Sequence, residues 1–337
     1  MRRLPVYILI DCSESMAGEP MEAVQKGLAA MFSSLRKDPH ALETVCLSVI
    51  TFDARAKVAV PLTEIAEFST PTLTIKPGTA LGAALQLLAA RIKKEVTKTT
   101  SESKGDYRPI VFLLTDGQPT DDWEDAAAAL KTVKPKLANI YAIGCGNDID
   151  FHVLNEITDT AFHIRDVSGE MIAKFFIWMS ASVQSMSQGA DTPISLEKSP
   201  FAQGGGFDLI DPDNLPLRSD VPMQVFLHCR CMNTRQFYML RYSFQEEHQV
   251  YLARAVHELP DDFFSEGNDV PPAISSDLLY GSVPCPFCGN IGWGQCGNCG
   301  QISCNPDPLP PQIQCPSCQT VLRTGESGTF EVTRSSG

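Results

Sequence analysis

Four short apolar runs, PVYILI (5–10), TVCLSVITFD (44–53), PIVFLL (109–114) and ANIYAI (138–143), constrain this chain more than any other feature. They are nearly continuous rather than alternating, so each reads as a strand covered on both faces. Between them lie segments of helical period. Met21, Val24, Leu28, Met31, Phe32 and Leu35 predict a helix from Glu19 to about Lys37, and Leu81, Leu85, Leu88 and Ile92 predict another. Further helices are expected over 122–136, 150–157 and 169–187, a short strand over 161–165, and 56–62 as hairpin partner of 44–53. Strands alternating with amphipathic helices specify a doubly wound α/β domain with a mostly parallel sheet, placed here at residues 1–190. Ligands of such sheets gather beyond the carboxyl ends of the strands.

Two polar motifs stand at those ends. In YILIDCSESM, Asp11, Ser13 and Ser15 occupy alternate positions after the first strand, and LLTDG places Asp116 after the third. A loop leaving the sheet can aim alternate side chains at one point, giving two neutral oxygens and one anionic oxygen. Mg²⁺ takes octahedral oxygen ligands and keeps some of its waters, so this set suits it. Thr79 in KPGTALG supplies a further hydroxyl from a loop expected at the same end, beside Gly78, which lets the backbone approach closely. Competing readings are weaker. A serine nucleophile needs a base, and no histidine lies near these three loops in the sequence. GTALG has no following lysine for a phosphate loop. Ser13 or Ser15 alone would serve as a helix cap, Cys12 reads as a packed thiol, and Asp121 with Asp122 as the acidic start of a helix.

Beyond about residue 190 the pattern changes. Residues 191–222 are rich in Gly, Pro and Asp and read as a linker. Residues 223–284 form a β-rich segment with a hairpin at MNTR, flanked by strands over 223–231 and 236–244, with a further strand at 249–256. Residues 285–325 hold seven of the twelve cysteines. Cys285-x-x-Cys288, Cys296-x-x-Cys299 and Cys315-x-x-Cys318 are knuckles whose paired thiolates can face one tetrahedral Zn²⁺, as in a zinc ribbon. The middle cysteines taking part in the first site is an open alternative; if the first and third knuckles pair, the site is Cys285, Cys288, Cys315 and Cys318. Cys296, Cys299 and Cys304 then remain as further candidate ligands, one short of a second set. His228, Cys229 and Cys231 could complete it, although an alternating hairpin makes them ordinary strand residues first. A filled four-cysteine site leaves no open position for catalysis.

Charge narrows the partners. The formal net charge is −13, which disfavours a general binder of nucleic acid or of anionic membranes. Arg323 is the only Lys or Arg between Cys285 and Thr333, so the tail lacks charge for phosphate contacts. The apolar run before Asp11 is too short for a signal segment or a membrane span, and a cytoplasmic protein without membrane insertion is expected.

The set DCSES, PGTALGAAL and LLTDG, in this order along an α/β chain, resembles the von Willebrand factor A domain, a Rossmann-like fold. The resemblance implies that Asp11, Ser13, Ser15, Thr79 and Asp116 form a metal-ion-dependent adhesion site. It would hold Mg²⁺, or Mn²⁺ or Ca²⁺, with an acidic group of a partner completing the shell. Glu14 stands where related sequences often carry glycine and would add negative charge at the rim. With DCSESMAGEP, LLTDGQPTDDW and CPFCGNIGWGQCGNCGQISC, nearly the whole chain resembles the TerY-like proteins of bacterial tellurite-resistance and stress-response systems. That family implies a cytoplasmic, non-enzymatic interaction scaffold, with a protein kinase and a PP2C-type phosphatase as partners in some clusters. Phosphorylation of Thr79 would compete with the charge and geometry of the cation site. A metal-assisted phosphohydrolase, or a nucleic-acid binder acting through the ribbon, are the alternative functions. The first lacks a base and the second lacks cations.

Overall fold

The computed structural model describes residues 2–101, 103–115, 118–133, 135–146, 149–165, 168–187, 207–210, 222, 224–245, 247–259, 273–324 and 329–332. The chain divides into two compact units, residues 1–75 with 79–218, and residues 76–78 with 219–337.

The first unit carries β1 (Leu4–Asp11), α1 (Glu19–Leu35), α2 (Pro39–Thr44), β2 (Val45–Phe52), β3 (Ala56–Glu64), α3 (Leu81–Glu95), β4 (Ile110–Thr115), α4 (Glu124–Thr132), β5 (Asn139–Cys145), α5 (Phe151–Ile157), β6 (Ala161–Ile164), α6 (Gly169–Ser187) and β7 (Phe207–Leu209). Its sheet has the order β3-β2-β1-β4-β5-β6-β7. The five inner strands are mutually parallel, and β3 and β7 run antiparallel at the edges. Every residue of β1, β2 and β4 is buried, which is why their sequences do not alternate. Val6, Ile8 and Ile10 face a layer containing Val24, Leu28 and Phe176 of α1 and α6. Tyr7 and Leu9 face the opposite layer, with Leu85 of α3 and Ala127 of α4. Close packing of α1 on α6 needs Gly27, where a Cβ would come within 2.2 Å of the Phe176 ring.

Three sequence expectations shift. The six-residue α2, capped by the Asp38 side chain on the Ala41 N–H at 2.8 Å, is too short to show a period and was not anticipated. The expected helix over 122–136 is confined to Glu124–Thr132. Within the expected linker, Phe207–Leu209 adds a strand to β6, with Phe162 opposite Leu209. Residues 191–206 and 211–221 lie outside the described residues.

The second unit contains β8 (Gln224–Arg230), β9 (Phe237–Gln245), β10 (Val250–Glu258), β11 (Ile274–Ser275), β12 (Leu279–Tyr280), β13 (Gly292–Gln295), β14 (Ile302–Asn305), β15 (Gln312–Gln314), β16 (Val321–Arg323) and β17 (Glu331–Val332). The β-rich segment and the cysteine-rich tail share one six-stranded sheet, ordered β12-β10-β9-β8-β14-β13. β14 joins it by parallel pairing with β8, Ile302 opposite Cys229 and Ser303 opposite Arg230. The hairpin β15–β16 stands as a separate ribbon. Among the described residues, no helix is long and apolar enough to cross a membrane.

Candidate metal centres

The loops leaving β1, β2 and β4, together with the loop entering α3, are closed into one circuit by hydrogen bonds. Cys12 N–H donates to the Phe52 carbonyl (2.8 Å), and Ala80 N–H to the carbonyl of the next residue, Asp53 (2.7 Å). Thr79 N–H donates to Thr120 Oγ1 (3.0 Å), and Thr120 N–H returns to the Thr79 carbonyl (3.0 Å). The circuit closes where Thr115 Oγ1 donates to Asp11 Oδ2 at 2.5 Å. Parallel strands put all of these loops at the carboxyl end of the sheet, as such folds require.

Within the circuit, Asp11, Ser13 and Thr79 are 0% exposed and Ser15 3%. Asp11 Oδ1 accepts the Ser13 N–H at 2.9 Å, and Ser13 Oγ and Ser15 Oγ share a hydrogen bond of 2.8 Å. These hydroxyls therefore engage each other, as two cation ligands facing one point would. Thr79 Oγ1 is buried and has no hydrogen-bond partner among the described residues. A buried hydroxyl left so is costly, and a cation drawing on this oxygen set would relieve it. Burial pushes the Asp11 carboxyl up to about 6, against the hydrogen bonds from Thr115 and Ser13 and with the charge of Glu14. A divalent cation would reverse that tendency. Glu14 is not at a rim as expected from the sequence but 0% exposed, inside the turn Glu14–Met16. Asp116, which follows Thr115, lies outside the described residues.

Two residues that sequence reasoning missed or misplaced hold the Thr79 loop. Asp121 does not start α4. Its two carboxylate oxygens accept the N–H groups of Gly82 and Ala83 at 2.9 Å each, capping α3 from a distant loop. Gly82 permits that approach, since a Cβ there would lie 2.5 Å from the Asp122 carbonyl oxygen. Thr120 fastens Thr79 directly. A pattern of acids before a helix does not reveal which helix they cap. Gly78 takes φ +88°, so the turn into Thr79 does require glycine.

In the second unit the seven tail cysteines and Cys231 converge, and all twelve cysteines of the chain are free thiols. Cys231, Cys285, Cys288 and Cys304 form one cluster, and Cys296, Cys299, Cys315 and Cys318 a second, each with all sulfurs within 4.8 Å of one another. Contacts of 3.6 Å (Cys288–Cys304) and 3.7 Å (Cys296–Cys318 and Cys299–Cys315) match the S–S edge of about 3.8 Å implied by Zn–S bonds near 2.3 Å. The expected pairing of Cys285 and Cys288 with Cys315 and Cys318 is therefore corrected. Parallel register of β14 on β8 carries Cys304 beside Cys231, and this supplies the missing fourth ligand. Cys229 stays in the core, donating to the Leu227 carbonyl, with its thiol pushed up by burial.

Within each cluster the thiols are shifted in opposite directions. Burial pushes Cys285 and Cys288 of the first up, and against the Gln301 N–H, burial with the neighbouring cysteines brings Cys299 of the second up to about 12. Burial raises Cys231, but hydrogen bonds from Thr234, the Asn233 N–H and Cys288 together outweigh it and bring the thiol down to about 7. Cys318 is lowered to about 5, chiefly by the Thr320 hydroxyl. Met232 N–H donates to Cys304 Sγ (3.3 Å), Ser317 N–H to Cys315 Sγ (3.4 Å) and Asn298 Nδ2 to Cys318 Sγ (3.6 Å). Such donors favour thiolates, the form that binds metal.

Two family models match the chain: the von Willebrand factor type A domain over residues 6–174 and the TerY-C metal binding domain over residues 222–337. The uncharacterized protein sll0103 of Synechocystis is 28% identical over 170 residues, covering 48% of this chain and 37% of its own length. Matrilin-3 of Gallus gallus is 28% identical over 151 residues, covering 43% and 32%. The chain thus spans about a third of the length of these curated relatives. Among solved structures, a von Willebrand factor type A protein from Catenulispora acidiphila aligns at 21% identity and TM-score 0.41, covering 54% of this chain and 43% of that one. Proximal thread matrix protein 1 of the mussel byssus, with a zinc-occupied MIDAS motif, aligns at 16% and 0.37, covering 54% and 48%. With its two motif-bearing units in this order, the chain belongs to the von Willebrand factor type A family and carries a match to the TerY-C metal binding domain.

Proposed function

We propose that this protein is a non-enzymatic, metal-dependent scaffold that captures a protein partner through a cation held by Asp11, Ser13, Ser15 and Thr79, with Asp116 as the fifth ligand. The observation that carries this reading is the closed circuit of strand-end loops around a buried carboxylate and a buried Thr79 hydroxyl without a partner among the described residues. Mg²⁺ fits an all-oxygen set of this kind and completes its octahedral shell with water. A cation with an open coordination position attracts an anionic ligand, so the partner presents a carboxylate. Two Zn²⁺ ions in the four-cysteine clusters would be structural, since each cluster fills a tetrahedral shell. The TerY resemblance extends the proposal to a bacterial tellurite-resistance or stress-response system, with a protein kinase and a PP2C-type phosphatase as candidate partners.

Affinity capture from the native host, with and without EDTA, tests this. Wild-type protein is expected to retain a partner only when Mg²⁺ is present, and Asp11→Ala to lose it while keeping its circular dichroism spectrum. Capture of the same partner by Asp11→Ala as well as by wild type, undiminished by EDTA, would refute the proposal.

A further inference from the structure

The three Cys-x-x-Cys turns share one backbone design. The first cysteine's N–H donates to the carbonyl five residues on: Cys285 to Asn290 (2.8 Å), Cys296 to Gln301 (2.9 Å) and Cys315 to Thr320 (2.9 Å). The N–H four residues on donates back to the first cysteine's carbonyl, from Gly289, Gly300 and Gln319 (2.9, 2.8 and 3.0 Å). These three residues take positive φ, +77°, +75° and +63°. The turn holds both sulfurs on one side, ready for a common ion.

The turn from Cys231 to Gln236 repeats the whole pattern without a second cysteine. Cys231 N–H donates to the Gln236 carbonyl (2.9 Å), Arg235 N–H returns to the Cys231 carbonyl (3.0 Å), and Arg235 has φ +64°. Positive φ is uncommon for a residue such as arginine. The agreement of both hydrogen bonds and this angle with the three knuckles is thus specific. Position three after the first cysteine is Thr234. Its N–H donates to Cys231 Sγ at 3.4 Å, and its hydroxyl accepts from Gln236 N–H at 3.4 Å, inside the turn.

We infer that residues 231–235 are a fourth metal knuckle, in which Thr234 stands at the second ligand position and Cys304 delivers the missing thiolate from β14. The exchange changes what the ion does. A cysteine at position 234 would confine the site to two turns, whereas Cys304 makes the same ion clamp β14 to the β8–β9 hairpin. Both clusters then follow one plan of two facing knuckles, with one ligand of the first displaced to a neighbouring strand.

Cobalt substitution of the full chain tests the inference through the absorption bands of tetrathiolate Co²⁺. Wild type is expected to bind two such ions. Cys304→Ser should leave one, and Cys304→Ser combined with Thr234→Cys should restore two. A double variant that still binds one tetrathiolate ion overturns the inference. Thr234→Cys alone keeps Cys304 and guards against a double variant that does not fold. In its cobalt-loaded form, mass-mapped alkylation should divide between position 234 and Cys304, because both compete for one ligand place. Alkylation wholly at position 234, with Cys304 fully protected, overturns it as well.

Discussion

The Thr115 hydroxyl donates to Asp11 Oδ2 at 2.5 Å, joining the ends of β4 and β1 beneath the proposed cation. The bond holds one carboxylate oxygen, while Oδ1 accepts the Ser13 N–H on the other side. Thr115→Val keeps the shape and removes the donor. A hydrogen bond to a charged group is worth about 1.5–3 kcal/mol, so Mg²⁺ affinity is expected to fall by roughly tenfold or more, read by calorimetry. Unchanged affinity would show that Asp11 is oriented by other means.

Protons and cation compete at Asp11. Its carboxyl, raised to about 6 by burial, stabilises the metal-free domain below its unfolded value. That contribution is lost as pH rises through about 6. The ion favours the charged form, so its effect runs the other way. The rise in melting temperature produced by Mg²⁺ should be full at pH 7.5 and shrink as pH falls through about 6. A rise independent of pH between about 5 and 7.5 would place the ion away from this carboxylate.

Asp121 caps α3 through both oxygens. Asp121→Ala leaves the Gly82 and Ala83 N–H groups without their acceptor and is expected to destabilise the first unit by about 0.5–2 kcal/mol in urea titrations. Because Thr120, next in sequence, holds the Thr79 backbone, weaker Mg²⁺ binding should accompany the loss.

The two cysteine clusters should fail differently. The first ties β14 to the β8–β9 hairpin through Cys231 and Cys304, and the second anchors the ribbon carrying β15 and β16. Hydrogen exchange of Cys231→Ser is expected to expose amides of β8 and β14. In Cys318→Ser, exchange should rise around β15 and β16 while β8 remains protected. Matching exchange maps for the two variants would contradict separate roles.

Burial on both faces makes a strand's sequence uniform, so β1, β2, β4 and β5 were legible, as were the long amphipathic helices α1, α3 and α6. Asp11, Ser13, Ser15 and Thr79 stand out in the sequence because each lies within a few residues of a readable strand or helix end. Non-local events were hidden. Spacing within Cys-x-x-Cys shows that two thiols face one way, but not which knuckle they meet. The register of β14 on β8 decides that and brings in Cys231 and Cys304. In the same way, Asp121 reads as a local cap until the fold carries it to α3. The three residues of β7 have too little pattern to stand out from the glycine-rich stretch around them.

A cation at Asp11 can be counted directly. Electron paramagnetic resonance of Mn²⁺, titrated into zinc-loaded protein, counts bound ions at a site of this ligand type. Wild type should bind one Mn²⁺ that Mg²⁺ displaces, and Asp11→Ala and Thr79→Ala should each lose it without unfolding. Equal, Mg²⁺-displaceable binding of Mn²⁺ by wild type and both variants would contradict a cation site at these residues.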